Sequence, residues 1–223
     1  MKDIIFITIG EAPRTDIANS FARFFADNSN VKQEGLLNGL SYDEAIQLLG
    51  ADDSESLVST FCDGTSLEMS KAKVQHRLQD RIYQLQQSTI AAIVVLCTAE
   101  FDQLKTQTVQ LIEPEKVLLP YIQQQFRQQK IGVVLPLENQ IQAAKKKWEE
   151  QQLSPIFTFA SPYDYSPNHF SVAGKKLQEQ GVEIIILDCM GYSQKMKKKL
   201  EQVTQLPVYQ SNELLFEYVK KLL

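Results

Sequence analysis

The sequence predicts an α/β protein with a mostly parallel sheet in each of two similar halves. Two observations support this prediction: continuous apolar runs rich in β-branched residues, and helix-like segments that separate successive runs. Runs without apolar–polar alternation are typical of strands that helices cover on both faces, as in parallel sheets. Strands that alternate with helices also favour right-handed crossover connections.

Four apolar runs are predicted to be buried strands. They span residues 4–9, 91–96, 131–135 and 182–187. The predicted helices span residues 13–25, 70–87, 140–151, 171–180 and 212–223. The first helix is expected to have Pro13 at its first position, where proline is tolerated. The fourth is expected to end just before Gly181, which suits the residue after a helix.

The second half of the chain echoes the first at low identity. Residues 93–99 (IVVLCTA) parallel residues 185–191 (IILDCMG), so each half has a strand that ends in cysteine. Prolines at positions 114 and 120 mark a change of segment. We therefore expect an N-terminal half over 1–117 and a C-terminal half over 118–209. Whether the final helix, within 210–223, packs back on the N-terminal half is left open.

Composition and charge argue against several functional classes. The chain has 223 residues and a formal net charge of −4, whereas a nucleic-acid partner would favour a basic face. It has no apolar run of about 18 residues or more that could span a membrane. Its first apolar run is too short for a secretory signal. Three cysteines, an odd number without framework spacing, fit a reducing compartment, so a cytoplasmic location is predicted.

Neither a cofactor nor a metal ion is predicted. The sequence lacks the Gly-x-Gly-x-x-Gly pattern and the Walker A loop, which weakens a dinucleotide or ATP site. Its two histidines lie far apart and no Cys-x-x-Cys pair is present, so no zinc site is expected.

Cys97 directly follows the predicted strand at 91–96, and Cys189 comes two positions after the end of the predicted strand at 182–187. These two cysteines are the candidate catalytic residues. Ligands of open α/β sheets bind at the carboxyl ends of the strands. A helix that starts there lowers the pKa of a thiol and offers N–H groups to an anion, and we expect a helix start after each cysteine. If the two halves face one another, one thiolate could remove a proton from an acidic carbon while the opposite thiol returns one. That reaction is a cofactor-free racemisation.

The alternative is that these cysteines are inert. Free cysteine is among the most buried residue types and often behaves as a small hydrophobe. Cys62 is given this interpretation, since it precedes a predicted turn at Asp63-Gly64. Two cysteines at matching strand ends favour a function more strongly than one does.

Other candidate substrate-binding residues follow the same four strands. They are Gly10, Pro13, Arg14, Thr98, Pro136, Met190 and Gly191. Arg14 could bind a substrate carboxylate through two hydrogen bonds or form a structural ion pair with Asp16. Thr98 could contact the substrate or cap the next helix. Gly191 is expected to permit a close backbone approach or a turn with positive φ.

Residues 161–170, which include His169, are predicted to form a loop. The loop could cover the substrate as a lid or pack on the surface.

Several motifs along the chain resemble the AroM family. They are TIGEAPRTD at 8–16, GLLNGL at 35–40, DG at 63–64, LIEP at 111–114, Trp148, LDCMGY at 187–192 and SN at 211–212. The resemblance covers nearly the whole chain, and its first and last long motifs are specific. It implies a relation to the aspartate/glutamate and hydantoin racemase superfamily. That superfamily's fold is two pseudo-symmetric Rossmann-like halves around a central cleft, and its catalytic thiols sit at the strand ends that Cys97 and Cys189 match.

One departure from the superfamily keeps two catalytic mechanisms open. Racemases usually follow the first cysteine with Asn-Thr or a similar polar pair, whereas Thr98-Ala99 follow Cys97 here. Some AroM relatives carry serine in place of this cysteine, and serine is a far poorer proton acceptor.

Three hypotheses follow from the residues and the resemblance. The first is a cofactor-independent isomerase or racemase that acts on a small carboxylate metabolite with both thiols. The second is a lyase or isomerase that uses Cys189 alone, and the third is a metabolite-binding protein without catalysis. Members of the superfamily often self-associate, so a homodimer is one further expectation.

Overall fold

The computed structural model describes residues 2–52, 55–102 and 104–222. The chain divides into two compact units, Met1–Pro114 and Glu115–Leu223. Each unit contains one four-stranded sheet whose strands are all parallel, with helices between the strands. The predicted fold class, α/β with parallel sheets in two halves, is confirmed.

The described residues form ten strands and eight α-helices. The strands are β1 Asp3–Thr8, β2 Val31–Gly35, β3 Ser56–Thr60, β4 Ser66–Ser70, β5 Ile90–Leu96, β6 Gln110–Ile112, β7 Ile131–Leu135, β8 Ile156–Phe159, β9 Ile184–Leu187 and β10 Val208–Gln210. The helices are α1 Ala18–Phe25, α2 Tyr42–Leu49, α3 Lys71–Gln84, α4 Pro114–Phe126, α5 Ile141–Glu150, α6 Pro167–Glu179, α7 Gln194–Thr204 and α8 Ser211–Lys220.

The two parallel sheets have the same topology. The first has the order β2-β1-β5-β6 and the second has the order β8-β7-β9-β10. When the strands of each parallel sheet are counted along the chain, the first pairs with the second on one side and with the third on the other. Strands β3 and β4 form a separate antiparallel hairpin in the first unit. The echo between the two halves of the sequence is therefore an echo of strand order.

The four strands predicted from sequence are the central strands of these sheets, β1, β5, β7 and β9. All five residues of β7 and all four of β9 are buried, which requires a continuous apolar run. The four strands that the prediction missed in these sheets are their edges, β2, β6, β8 and β10. Strand β2, with the sequence VKQEG, has no fully buried residue and therefore no apolar signal to read.

Two helix starts differ from the prediction. Helix α1 begins at Ala18 and not at Pro13, so Pro13 lies in a loop and not at a first helical position. Helix α6 begins at Pro167, where the fixed φ of proline suits a first turn. His169, which was expected in a loop, therefore lies in the first turn of α6. Gly181 follows this helix with a φ of +70°, as expected for a residue that ends it.

The segment around the two prolines is helical. Pro114 is the first residue of α4 and Pro120 lies inside it. The division between the compact units falls directly after Pro114. The final helix, α8, belongs to the second unit, where the Asn212 side chain donates a hydrogen bond to the Met190 carbonyl oxygen at 2.9 Å.

The core of the second unit lies between its sheet and helices α6 and α7. Phe170, Leu177 and Leu200 are fully buried there, together with Leu187 of β9. In the described ranges of the chain, no helix combines the length and the apolar composition that crossing a bilayer requires.

Replacing Leu177 by alanine should lower the free energy of unfolding by about 2–5 kcal/mol, because a large side chain is removed from a close-packed core. The matched control is Val172→Ala on the same helix, since Val172 is 59% exposed. That change should stay within about 0.5 kcal/mol of wild type. Urea unfolding followed by the fluorescence of Trp148, the only tryptophan in the chain, measures both. Equal losses in the two variants would contradict the packing described here.

Candidate functional site

Both candidate cysteines lie at the carboxyl edge of a parallel sheet. In the first sheet Thr8 of β1 is paired with Leu96 of β5, so Cys97 leaves the sheet beside the segment that contains Gly10. Cys97 is half-buried. The proximity of the loop after β1 to Cys97 thus follows from the strand register.

The second sheet repeats this arrangement. Val134 of β7 is paired with Leu187 of β9, and the Asp188 N–H donates to the Val134 carbonyl oxygen at 3.0 Å. Cys189 therefore leaves the sheet beside the segment that begins with Pro136. Cys189 is half-buried, and Pro136 is buried.

The loop after β1 needs glycine at position 10. A Cβ atom on Gly10 would lie 2.6 Å from the Thr60 carbonyl oxygen and closer still to Ser59 Oγ. The same carbonyl accepts a hydrogen bond from the Glu11 N–H at 2.9 Å. The β3–β4 hairpin thus packs directly on this loop, and any side chain at position 10 would separate them.

Side chains from distant parts of the chain form hydrogen bonds with the backbone of the same loop, which was predicted to be the start of a helix. The Ala12 N–H donates to Asn38 Oδ1 at 2.7 Å, and the Arg14 N–H donates to Gln33 Oε1 at 3.0 Å. The Ala12–Pro13 peptide bond in this loop is cis. Because these backbone groups have partners outside the local sequence, the loop continues until α1 begins.

Arg14 makes the structural ion pair that the sequence left as one of two alternatives. Its side chain is buried, its Nε donates to Asp16 Oδ1 at 2.8 Å, and its Nη2 contacts Asp16 Oδ2. Its Nη1 donates to Thr8 Oγ1 at 2.9 Å, and the same hydroxyl accepts from the Gly10 N–H at 3.1 Å. The guanidinium group therefore ties the loop to the end of β1.

The expectation of a helix start after each cysteine is wrong. The described residues between Cys97 and α4 include no helix, so Thr98 caps none. In the second unit, α7 begins only at Gln194, after a turn of four residues. The first backbone N–H groups after each cysteine belong to loops, whose direction depends on contacts made elsewhere in the unit.

Two hydrogen-bonding groups lie close to the Cys189 sulfur. Gly191 N lies 3.5 Å from Cys189 Sγ, and Tyr163 Oη lies at the same distance. A Cβ atom on Gly191 would lie 2.6 Å from Tyr163 Oη, so a side chain at this position would collide with the tyrosine ring. Sequence reasoning missed Tyr163, because it is 26 positions away in a segment interpreted only as a lid or surface loop.

Asn212 holds the loop that follows Cys189. Its side-chain amide donates to the carbonyl oxygens of Met190 at 2.9 Å and of Tyr192 at 2.8 Å, and Asn212 is fully buried. The Met190 side chain is buried as well. In the sequence the motif around Asn212 is part of the family resemblance, and the structure places Asn212 against the loop that follows Cys189.

The residue before Cys189 carries a buried charge. Asp188 Oδ2 lies 3.2 Å from Lys147 Nζ and 3.3 Å from Trp148 Nε1. Helix α5 supplies both of these partners. The pair neutralises a carboxylate that burial would otherwise make costly, and it fixes the end of β9 just before the cysteine.

Tyr192 is a buried polar anchor in the same loop. Its hydroxyl donates to the Ala160 carbonyl oxygen at 3.0 Å. Burial raises the pKa of Tyr192 well above its ordinary value, and the charges of Cys189, Asp188 and Tyr163 raise it further. The hydroxyl therefore stays protonated and continues to donate.

Cys62, interpreted as inert, contacts the loop after β1. Its thiol donates to the Pro13 carbonyl oxygen at 3.4 Å, and its backbone N–H donates to Glu11 Oε2 at 2.7 Å. Burial raises the pKa of the Cys62 thiol, and a hydrogen bond and the charge of Glu11 raise it further. A thiol that stays protonated suits a structural role at this position.

The candidate site contains no set of side chains arranged to bind a metal ion. Within residues 2–52, 55–102 and 104–222, no three or more histidine, cysteine, aspartate or glutamate side chains form a group that could hold one.

Comparison with known proteins gives one family and one fold. The family model described as AroM protein matches residues 4–223. A search of curated protein sequences finds no match.

Solved structures of racemases and of a decarboxylase share the fold. Allantoin racemase from Pseudomonas fluorescens has a TM-score of 0.59 at 12% identity, over 99% of this chain and 90% of that one. Glutamate racemase isoform RacE1 from Bacillus anthracis has a TM-score of 0.63 at 15% identity, over 99% and 81%. Arylmalonate decarboxylase has a TM-score of 0.58 at 14% identity, over 99% and 91%. At such identities the likeness establishes the fold alone.

In the Glu11→Gln variant, iodoacetamide should alkylate Cys62 faster at neutral pH than it does in wild type. Removing the Glu11 charge lowers the pKa of Cys62, while the glutamine can still accept the backbone hydrogen bond. Iodoacetamide labelling at several pH values, resolved by peptide mass spectrometry, measures this. The control is Glu68→Gln on β4, where the glutamate is exposed. An unchanged Cys62 rate in Glu11→Gln would show that Glu11 does not act on the thiol.

The Tyr192→Phe variant should lose less stability than wild type as the pH rises above about 10, the pKa of an unperturbed tyrosine. The raised pKa of Tyr192 means that the folded state holds its proton more tightly than the unfolded state. This contribution is fully present below about pH 10 and is lost as the pH rises further. Urea unfolding from pH 8 to 11 measures the slope, with Tyr218→Phe as an exposed control. A Tyr192→Phe slope as steep as that of wild type would reject this role.

Proposed function

Because the chain belongs to the AroM protein family and shares the fold of racemases, we propose that it is a cofactor-independent isomerase of a small carboxylate metabolite. In this proposal the thiols of Cys97 and Cys189 are the catalytic acid and base.

The observation that carries this proposal is the matched position of the two cysteines. Cys97 follows β5 and Cys189 follows β9, which are the third parallel strands of two sheets with the same order. Each of these strands pairs with the first strand of its unit. Both thiols therefore occur at the sheet edge where open α/β proteins bind ligands. If both cysteines were inert core residues, their occurrence at the same position in both units would have no explanation.

The proposed reaction is a proton transfer at the carbon next to a substrate carboxyl group. One sulfur, as thiolate, removes the proton: the C–H bond breaks, its electron pair remains on the substrate as an enolate, and an S–H bond forms. The other thiol gives its proton to the opposite face of the same carbon, which inverts the configuration and leaves a thiolate. The reverse reaction exchanges the two roles, so atoms and charge balance without a cofactor.

The enolate intermediate needs hydrogen-bond donors that are already in place. We assign this role to the backbone N–H groups of Thr98 and Met190, each of which directly follows a cysteine, and to the Thr98 hydroxyl. Arg14, a further candidate from sequence, makes its described contacts with Asp16 and Thr8, so we assign it to shaping the loop. The remaining candidate residues would line the substrate: Gly10, Pro13, Pro136, Met190 and Gly191.

A second candidate function is a lyase or isomerase that uses Cys189 alone. The defined surroundings of this sulfur, with Tyr163 and Gly191 both at 3.5 Å, favour it. The fold shared with arylmalonate decarboxylase agrees with it as well. In a decarboxylation the C–C bond to one carboxylate breaks, CO₂ leaves with no electrons from that bond, and the Cys189 thiol protonates the resulting carbanion. Cys97 would then be dispensable.

A cytoplasmic location and a homodimer remain predictions from the sequence.

The Cys97→Ser and Cys189→Ser variants should each incorporate deuterium at the substrate carbon about 10²–10⁴-fold more slowly than wild type, which is the usual contribution of an acid–base group. Serine has the shape of cysteine but is a much weaker acid. The rates are measured by NMR in heavy water with a panel of small carboxylates, amino acids and hydantoins. Cys62→Ser is the matched control and should keep the wild-type rate.

The outcomes separate the hypotheses. A loss in Cys189→Ser with normal turnover in Cys97→Ser would establish the one-thiol mechanism. Full exchange in both variants would reject thiol catalysis. Saturable binding of a panel compound without any reaction would instead identify a metabolite-binding protein.

A further inference from the structure

Two hydrogen-bonding groups that lie close to the Cys189 sulfur come from different parts of the second unit. Gly191 N lies 3.5 Å away in the same loop, and its N–H is directed at the sulfur. Tyr163 Oη lies 3.5 Å away and reaches the sulfur from the segment after β8, where either atom can be the donor. These distances are within the range of sulfur hydrogen bonds, which are longer than those of oxygen.

The direction of the Gly191 N–H is fixed by Asn212. A trans peptide unit is planar, so the Met190 C=O and the Gly191 N–H point in opposite directions. The buried Asn212 amide donates to the Met190 carbonyl oxygen at 2.9 Å and to the Tyr192 carbonyl oxygen at 2.8 Å. Because the Met190 carbonyl group is turned towards Asn212, the Gly191 N–H in the same peptide unit is turned away from it and towards Cys189 Sγ.

The position of Tyr163 depends on the absence of a side chain at Gly191. A Cβ atom there would lie 2.6 Å from Tyr163 Oη and 2.8 Å from ring atoms Cε1 and Cζ. The Tyr163 backbone N–H donates to Ser161 Oγ at 3.2 Å, which helps to hold the segment. Glycine at 191 thus leaves room for the tyrosine ring beside the sulfur.

We propose that Tyr163 is a positioning residue for Cys189, whose hydroxyl donates to the thiolate, with the Gly191 N–H as the second donor. This inference rests on the proposed function, in which Cys189 must change its protonation state during each turnover. A hydroxyl both donates and accepts, so the same contact persists when the sulfur is a thiol and its proton is directed at Tyr163. Hydrogen bonds to the charged form favour that form.

Two other titratable groups near the sulfur, those of Asp188 and Tyr192, have partners of their own. The Asp188 carboxylate, which would oppose a thiolate next to it, lies 3.2 Å from Lys147 Nζ on α5. The Tyr192 hydroxyl donates to the Ala160 carbonyl oxygen, and burial raises its pKa so that it stays protonated. Tyr163 and Gly191 are therefore the groups to alter when the state of the sulfur is tested.

The test is the pH profile of Cys189 alkylation in the intact chain. Trypsin places the three cysteines in separate peptides, 33–71, 82–105 and 177–195, because lysine or arginine bounds each segment. Iodoacetamide labelling followed by mass spectrometry thus gives a profile for each thiol in one sample. In the Tyr163→Phe variant the midpoint for Cys189 should move up by about one pH unit, as expected for losing one hydrogen bond to a charged acceptor.

A second variant tests the same contact without removing the hydroxyl. Gly191→Ala should displace the Tyr163 ring and move the Cys189 midpoint in the same direction. Tyr165→Phe is the matched control, since the Tyr165 ring packs on Phe170 and lies under Lys195. That variant should leave the midpoint unchanged, and so should the Cys97 and Cys62 peptides in every sample.

An unchanged Cys189 midpoint in both Tyr163→Phe and Gly191→Ala, with a wild-type circular dichroism spectrum, would overturn the role of Tyr163. If deuterium exchange still required Cys189 in that case, the proposed function would stand without it. A shifted midpoint supports the role of Tyr163 even where neither cysteine proves necessary for exchange, an outcome that would reject only the proposed function.

Discussion

Parallel pairing of β1 with β5 and of β7 with β9 is the constraint on which the candidate site depends. In a parallel sheet every strand ends at the same edge, so the chain must leave the sheet there several times within a small area. The register that pairs Thr8 with Leu96 puts Cys97 beside the loop that contains Gly10. A register slip of one residue would turn each of these side chains to the opposite face of the sheet. The same constraint in the second unit places Cys189 beside the segment that begins with Pro136.

Loops at such an edge have backbone groups that no strand or helix satisfies, and here side chains supply the partners. Asn38 and Gln33 accept hydrogen bonds from the loop after β1. Asn212 and Gln210 donate to carbonyl oxygens of the loop after β9, where both contact Tyr192. These amides make the loops parts of the packed structure, so the N–H groups at the sheet edge keep fixed directions.

Two ion pairs, each with one buried partner, stabilise the ends of strands, and they differ in how far apart their partners lie in the sequence. Arg14 and Asp16 are two positions apart, so their pair forms within one loop. Lys147 and Asp188 are 41 positions apart, so their pair joins α5 to the end of β9. Removing one partner of a buried pair leaves an uncompensated charge, which costs far more than a surface charge does. The first pair therefore fixes the backbone of the loop after β1, and the second fixes the residue before Cys189.

The sequence alone determined the central strands and the position of both thiols. A strand buried on both faces requires a continuous apolar run, which is a local signal, and a cysteine one or two positions after such a run lies at the sheet edge. The edge strands were missed because β2, with half-exposed polar residues, needs no such run. The start of α1 was missed because distant amide side chains compete with the helix for the backbone groups near Pro13.

Only the tertiary structure decided which groups surround the sulfur of Cys189. Tyr163 is 26 positions from it, and Asn212 is 22 positions from the carbonyl that it holds. No periodicity or spacing in the sequence encodes such contacts, because they depend on how the segments after β8, β9 and β10 converge at one edge. The sequence alone identifies Cys189 as a candidate, whereas the packing of these segments determines which groups form hydrogen bonds with its sulfur.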